Sequence, residues 1–337
     1  MMVVMKSNYS KEELSEILEK IRDLGFTTDV SYGRERTVIG IVGDVRSSSL
    51  ESLSSLDGVE KVIKITKPFK LTDSESIPHK SNISVSGISF DSGSFNVIAG
   101  PCAIETEELS IEIAREVKAH GAKIFRGGAF KPRTSPYSYQ GLGVEGLKIL
   151  ANVREEVGIP VVTEVMDVRD LDEVCKYVDM LQIGARNMQN FGLLKEIGKL
   201  KFPVILKRSM MASIEEWIMA AEYILIEGNK NVVLCERGIR TYEVATRNTL
   251  DLSAVACVKT MTDLPVIVDP SHATGRWDIV MPMVLAGMAA GADGAMIEVH
   301  PYPDRALSDG AQSLKYDMYE ATMKRLKEVA VVFDRRV

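Results

Sequence analysis

The sequence predicts an α/β protein, a (β/α)8 TIM barrel preceded by a small α+β ferredoxin-like module of βαββαβ order. Three observations carry this. From residue 95 onward, eight short apolar runs each lead into a stretch of helical period. Those runs are almost continuously apolar rather than alternating, as in a parallel sheet buried on both faces. Before residue 72 the texture differs, with shorter elements and strand following strand.

Taken in order, MVVM predicts a first strand and KEELSEILEKIRDLG an amphipathic helix ended by Gly25. TTDVSY and RTVIGIVGDV predict two strands, SLESLSSL a second helix ended by Gly58, and VEKVIKIT a last strand. The predicted domains are residues 1–71, a polar linker over 72–82 (TDSESIPHKSN), and a barrel over 83–337. ISVSGISFDSGSF reads as a hairpin that caps the barrel floor. The strands then follow as FNVIAG, KIFRG, VVTE, MLQIG, VILKR, VVLCERG, VIVDPS and GAMIEV, each followed by a helix. Eight βα units over roughly 240 residues favour the closed barrel over a doubly wound open sheet.

The chain has 337 residues and a formal net charge of −6, which argues against a nucleic-acid partner. No run approaches the ~18 to 20 apolar residues of a membrane helix, and MMVVMKSNYS is too short an apolar start for a signal peptide. A cytoplasmic location is expected. The four cysteines lie far apart, which predicts reduced thiols rather than a disulfide framework. Cys175, Cys235 and Cys257 are expected to be core residues.

In a barrel the active site is built where strands end and βα loops begin. The successive strand ends carry Cys102; Arg126 with the loop FRGGAFKPRTSPYSYQG; Glu164; Gly184-Ala185-Arg186-Asn187; Lys207 and Arg208; Glu236 and Arg237; Asp269 and His272; and Glu298 and His300, with Asp309 on the same loop. So many cations at one mouth repel one another and lose solvation, which a polyanionic ligand relieves. Charge-assisted bonds to phosphate or carboxylate contribute about 1.5 to 3 kcal/mol each, so a phosphorylated acid suits the cluster. Cys102, His272, Glu298 and Asp309 match no short metal motif by spacing, yet loops one, seven and eight are neighbours once a barrel closes. Thiolate, imidazole and two carboxylates suit a divalent ion such as Mn²⁺, Fe²⁺, Co²⁺ or Zn²⁺. His79 and His120 read as surface residues.

GPC at Cys102, FRGGAFKPRTSPYSYQG, TEVMD, QIGARNMQN, LKRSM, CERGIRTYE, VDPSHATGR and IEVHPYPDRALSDGAQSL occur in that order. Together they resemble the type I 3-deoxy-D-arabino-heptulosonate 7-phosphate (DAHP) synthases, in the subtype related to octulosonate-phosphate synthases, and the first 71 residues resemble the ferredoxin-like regulatory domain some members carry. The resemblance implies condensation of phosphoenolpyruvate with erythrose 4-phosphate and water, the entry step of aromatic amino acid synthesis. It implies a divalent metal on Cys102, His272, Glu298 and Asp309, and phosphoenolpyruvate on Arg126, Lys131, Arg186, Lys207 and Arg237 with backbone of Gly184 and Ala185. Arg133, Thr134 and Ser135 would meet the aldose phosphate, and His272 and Asp304 would add substrate contacts. Glu164 would orient a water, with Lys131, Glu164 and His272 as the catalytic groups; which of them activates that water stays open. A homotetramer and feedback inhibition by tyrosine or phenylalanine at the small domain are also implied.

The rival substrate is arabinose 5-phosphate, as in the octulosonate-phosphate synthases, whose loop carries asparagine where this chain has Pro132. A metal-dependent aldolase and a non-catalytic sensor are further alternatives. Ser209 departs from the glycine usual after the Lys-Arg pair and predicts a different loop-five backbone if positive φ is needed there.

Overall fold

The computed structural model describes residues 2–32, 36–42, 53–63, 69, 71–72, 83–133 and 135–337. The chain divides into two compact units, Met1–Pro68 and Phe69–Val337. Phe69 is buried in the hydrophobic core of the second unit, and Thr72 donates to Glu222 Oε1 through its backbone at 2.7 Å and its hydroxyl at 2.8 Å. The unit division thus falls before Leu71; the predicted linker residues 73–82 lie outside the described residues.

The first unit contains β1 (Met2–Met5), α1 (Lys11–Asp23), β2 (Thr27–Tyr32), β3 (Thr37–Val42) and β4 (Val59–Ile63), an antiparallel sheet in the order β2-β3-β1-β4. Helix α1 starts with a reciprocal capping box between Ser10 and Glu13. Its buried Leu14, Ile17 and Ile21 recur at helical spacing and pack on Val3, Met5, Ile39 and Val59. Of the predicted second helix, residues 53–55 form a 3-10 turn, and the part before Leu53 lies outside the described residues.

The second unit opens with an antiparallel hairpin, β5 (Ile83–Val85) and β6 (Ile88–Phe90). Eight parallel strands follow: β7 (Asn96–Gly100), β8 (Ile124–Arg126), β9 (Val161–Glu164), β10 (Met180–Ile183), β11 (Val204–Lys207), β12 (Val232–Glu236), β13 (Val266–Val268) and β14 (Gly294–Glu298). They close into a barrel, β14 pairing with β7 so that Glu298 lies opposite Gly100. The outer ring contains α2 (Glu107–Ala119), α3 (Val144–Val157), α4 (Leu171–Val174), α5 (Phe191–Leu200), α6 (Ile214–Leu225), α7 (Leu252–Met261), α9 (Val280–Ala289) and α10 (Tyr316–Val332), and a one-turn helix α8 (Pro270–Thr274) lies in the loop after β13.

Two elements depart from the sequence reading. DLDEVCKYV forms only the last residue of a 3-10 turn (Val168–Asp170) and the four residues of α4, after which the chain turns through residues 175–177 to reach β10 at Met180. Helix α8 interrupts the loop after β13, begun by Asp269, whose side chain accepts from the His272 amide at 3.0 Å, with Pro270 at the first helical position.

The barrel interior is layered. Ile98, Ile124, Val162, Met180, Ile205, Val233, Ile267 and Met296 form one inward-facing apolar cluster, into which Ile83, Val85 and Phe90 of the hairpin pack from below. The hairpin therefore closes the floor, as the sequence suggests. Since strand side chains alternate faces, the residue two positions further along each strand also points inward.

Candidate active site

That alternation selects the site. Two residues beyond the apolar layer stand Arg126, Glu164, Gln182, Lys207, Asp269 and Glu298, each at most 8% exposed. Arg208 is out of phase and outside the mouth, pairing with Glu236 at 2.8 Å and Asp251 at 3.0 Å. Of these, Arg126, Glu164, Gln182 and Lys207 line a cavity of about 420 Å³ at the C-terminal ends of the strands, walled by further cations.

One side of the site is a cradle. Ligand atoms of Cys102, His272, Glu298 and Asp309 all lie within 4.8 Å of one another. Cys102 Sγ is 3.2 Å from Asp309 Oδ2, and His272 Nε2 is 3.2 Å from Glu298 Oε1. His272 Nδ1 is 2.7 Å from Asp269 Oδ2, leaving Nε2 directed at the cradle, the arrangement a metal-ligating imidazole normally has. Asp309 holds a left-handed backbone, φ 51°, a conformation aspartate tolerates better than most residues. The donor set fits a borderline divalent ion.

Charge around the cradle is balanced by cations. Arg126 Nη1 lies 2.8 Å from Glu298 Oε1, and Lys131 Nζ lies 3.0 Å from Cys102 Sγ and 2.9 Å from the Cys102 carbonyl oxygen. Lys207 Nζ pairs with Asp269. Burial pushes the Cys102 thiol up to about 12, helped by Glu298 and opposed by Lys131 and Arg126. Burial lowers His272 below its ordinary value against the pull of Asp269 and Glu298, which favours the neutral imidazole a metal requires. Burial would raise Glu298, but His272 and Arg126 bring it below the usual carboxylate range; His272 and Arg247 do the same for Asp309.

The other side is built for anions. Arg237 is held by a bond from Nη2 to the His272 carbonyl at 3.2 Å, while its buried Nη1 has no partner. Burial lowers its pKa. Arg186 is exposed on the cavity wall and unpaired among the described residues. Arg133 donates from Nε to the Tyr139 carbonyl at 2.9 Å and lines the cavity together with Ser135. Glu164 receives Gln182 Nε2 on Oε2 at 3.2 Å and leaves Oε1 buried without a partner. A Cβ on Gly184 would collide with that carboxylate, so only glycine leaves Glu164 where it is.

Most residues singled out from the sequence thus meet at one mouth: Gly184 and Ala185 line the cavity with the cations, and the four candidate ligands converge. Thr134 lies outside the described residues. Asp304 does not line the cavity; the 3-10 turn Pro303–Arg305 leaves it exposed to solvent. Ser209 has no positive φ, so the glycine usual there is not required by this backbone. Cys235 is buried as expected, but Cys175 is half-buried and Cys257 exposed, since the buried face of α7 is Ala254, Val255 and Val258. His120 pairs with Glu116 at 3.1 Å, and His300 is buried. Sequence reasoning missed Gln182, Arg240, Arg247 and Asn248 in the wall and Gln312 and Ser308 beside the ligands. Inward phase on β10 could have found Gln182.

These features define a class: a (β/α)8-barrel enzyme whose mouth joins a thiol-containing cradle that could hold a metal ion to a polycationic cavity. The chain belongs to the DAHP synthetase I family, whose model matches residues 80–335, and the DAHP synthase ferredoxin-like domain matches residues 1–67. A phospho-2-dehydro-3-deoxyheptonate aldolase of Thermotoga maritima is 46% identical over 330 residues, covering 98% of each chain. A crystal structure of that Thermotoga maritima enzyme superposes with a TM-score of 0.81 at 44% identity, covering 100% of this chain and 98% of the other. A 2-dehydro-3-deoxyphosphooctonate aldolase of Methylococcus capsulatus is 32% identical, covering 72% of this chain and 89% of the relative.

Proposed function

We propose that the protein condenses phosphoenolpyruvate with erythrose 4-phosphate and water to give DAHP and inorganic phosphate. The observation that carries the reading is the junction of the four-ligand cradle, all within 4.8 Å, with a cavity walled by arginines and lysines. Cys102, His272, Glu298 and Asp309 would hold one divalent ion, which would supply Lewis-acid polarisation of the aldehyde.

The protein's own groups perform the rest. Arg186, Lys207 and Arg237 bind the phosphate and carboxylate of phosphoenolpyruvate and stabilise the charge that develops as phosphate leaves. Arg133 and Ser135 anchor the aldose phosphate and so present its carbonyl carbon to C3 of phosphoenolpyruvate. A new carbon–carbon bond forms there, water adds at C2, and phosphate departs by cleavage of its bond to C2. Lys131, with its ammonium beside the cradle, is placed to give a proton to the former aldehyde oxygen. Glu164, with an unpartnered oxygen, is placed to orient the water and accept its proton.

The ferredoxin-like unit supports a regulatory reading in which tyrosine or phenylalanine binds there and inhibits the barrel, within a cytoplasmic homotetramer. Among the described residues no helix is long and apolar enough to cross a membrane. The test follows phosphate release with erythrose 4-phosphate and arabinose 5-phosphate in parallel, after chelation and add-back of Mn²⁺. Turnover with the four-carbon aldose, restored by metal, is expected; faster turnover with arabinose 5-phosphate overturns the substrate assignment. Deleting residues 1–68 should keep turnover and abolish inhibition, and undiminished inhibition by either amino acid would refute the regulatory role.

A further inference from the structure

We infer that Gln312 and Arg247 form a two-residue positioning relay that sets the affinity of the cradle for its ion. The inference rests on the metal role proposed above for Cys102, His272, Glu298 and Asp309. Two of the three members of that set that would be anionic as metal ligands have their own cation, Glu298 with Arg126 and Cys102 with Lys131. The third, Asp309, takes its cation from a different loop: Arg247 Nη1 lies 3.4 Å from Asp309 Oδ1.

The same guanidinium nitrogen donates to Gln312 Oε1 at 3.2 Å, and Gln312 Nε2 donates to Glu298 Oε2 at 2.6 Å. Gln312 is 3% exposed and spends both ends of its amide on this chain of contacts. Its orientation is therefore assigned by its neighbours: an arginine can only donate and a carboxylate can only accept, so oxygen faces Arg247 and nitrogen faces Glu298. The bond to Glu298 Oε2 leaves Oε1 to Arg126 and His272, on the cradle side. Arg247 thus fixes one carboxylate directly and the other through the amide. It also lines the anion cavity, so the relay physically joins that cavity to the cradle.

Groups that orient metal ligands in this way typically change affinity by about 10- to 100-fold when removed. The test is titration of the metal-free full-length protein with Co²⁺, reading the dissociation constant and the visible absorption of the bound ion. Gln312→Met, nearly isosteric but unable to bond, and Arg247→Gln are each expected to weaken Co²⁺ binding at least tenfold and to alter its spectrum. The double variant should be little worse than the weaker-binding single one, because both act through one chain of contacts. Dissociation constants and spectra within twofold of the parent overturn the relay, as does full additivity. Arg247 is substantially exposed, with its side chain at 42%, so Arg247→Gln decides the matter even if Gln312→Met fails to fold. Failure of the parent itself to bind Co²⁺ with a thiolate spectrum overturns the metal assignment instead, and is distinguishable by that control.

Discussion

Two layers of the barrel interior, one on top of the other, are built from the same eight strands and differ in almost every property. The lower, typified by Ile98, Ile205 and Met296, is apolar and closed by the hairpin. The upper, two residues along each strand, holds Arg126 paired with Glu298 and Lys207 paired with Asp269, all with little exposure. Burial of aliphatic carbon stabilises the lower layer, while in the upper layer desolvation of charge is offset only by close pairing. The barrel thus separates stability from chemistry by about 7 Å of strand, two residues at ~3.3 Å each.

Substitutions can sharpen or break that separation. Glu298→Gln keeps an acceptor for Arg126 but removes a charged ligand. Loss of ion binding and a fall in turnover of roughly 10³-fold are expected, equivalent to the several kcal/mol that a Lewis acid supplies; retention of Co²⁺ affinity and rate would show Glu298 to be dispensable. Arg186→Ala removes an exposed cation that has no partner among the described residues. Its kcat/KM for phosphoenolpyruvate should drop about 10- to 100-fold, the worth of one charge-assisted bond. Its unfolding free energy should move by no more than about 0.5 kcal/mol. Ile205→Ala is the inverse case. It should destabilise by about 2 to 5 kcal/mol in denaturant titration while kcat/KM changes less than about twofold; a changed KM would mean that the two layers are mechanically coupled.

The pattern of legibility follows the same physics. Strand-end residues could be read because a parallel barrel strand announces itself as an apolar run and its period of two fixes which neighbour faces inward. Lys207 and Arg208 are adjacent in sequence, but only phase separates the cavity lysine from the arginine that pairs with Glu236 and Asp251 outside it. His272 was marked by its motif, yet the one-turn helix that carries it was not, because five residues give no helical period. Arg247 and Gln312 lie 65 positions apart and meet only through the packing of loops six and eight. Asp304, for which the resemblance implies a substrate contact, stands exposed and outside the cavity lining, because the 3-10 turn Pro303–Arg305 that carries it lies at the surface.

The hairpin β5–β6 has a further consequence for traffic. With its base covered, the cavity among the described residues opens at the C-terminal ends of the strands, so a ligand seated deepest there would have to arrive first and depart last. Anything lodged nearer the rim bars the exit of what lies beneath it. Two ligands stacked at different depths would then have an order of arrival set by depth, before any preference in affinity.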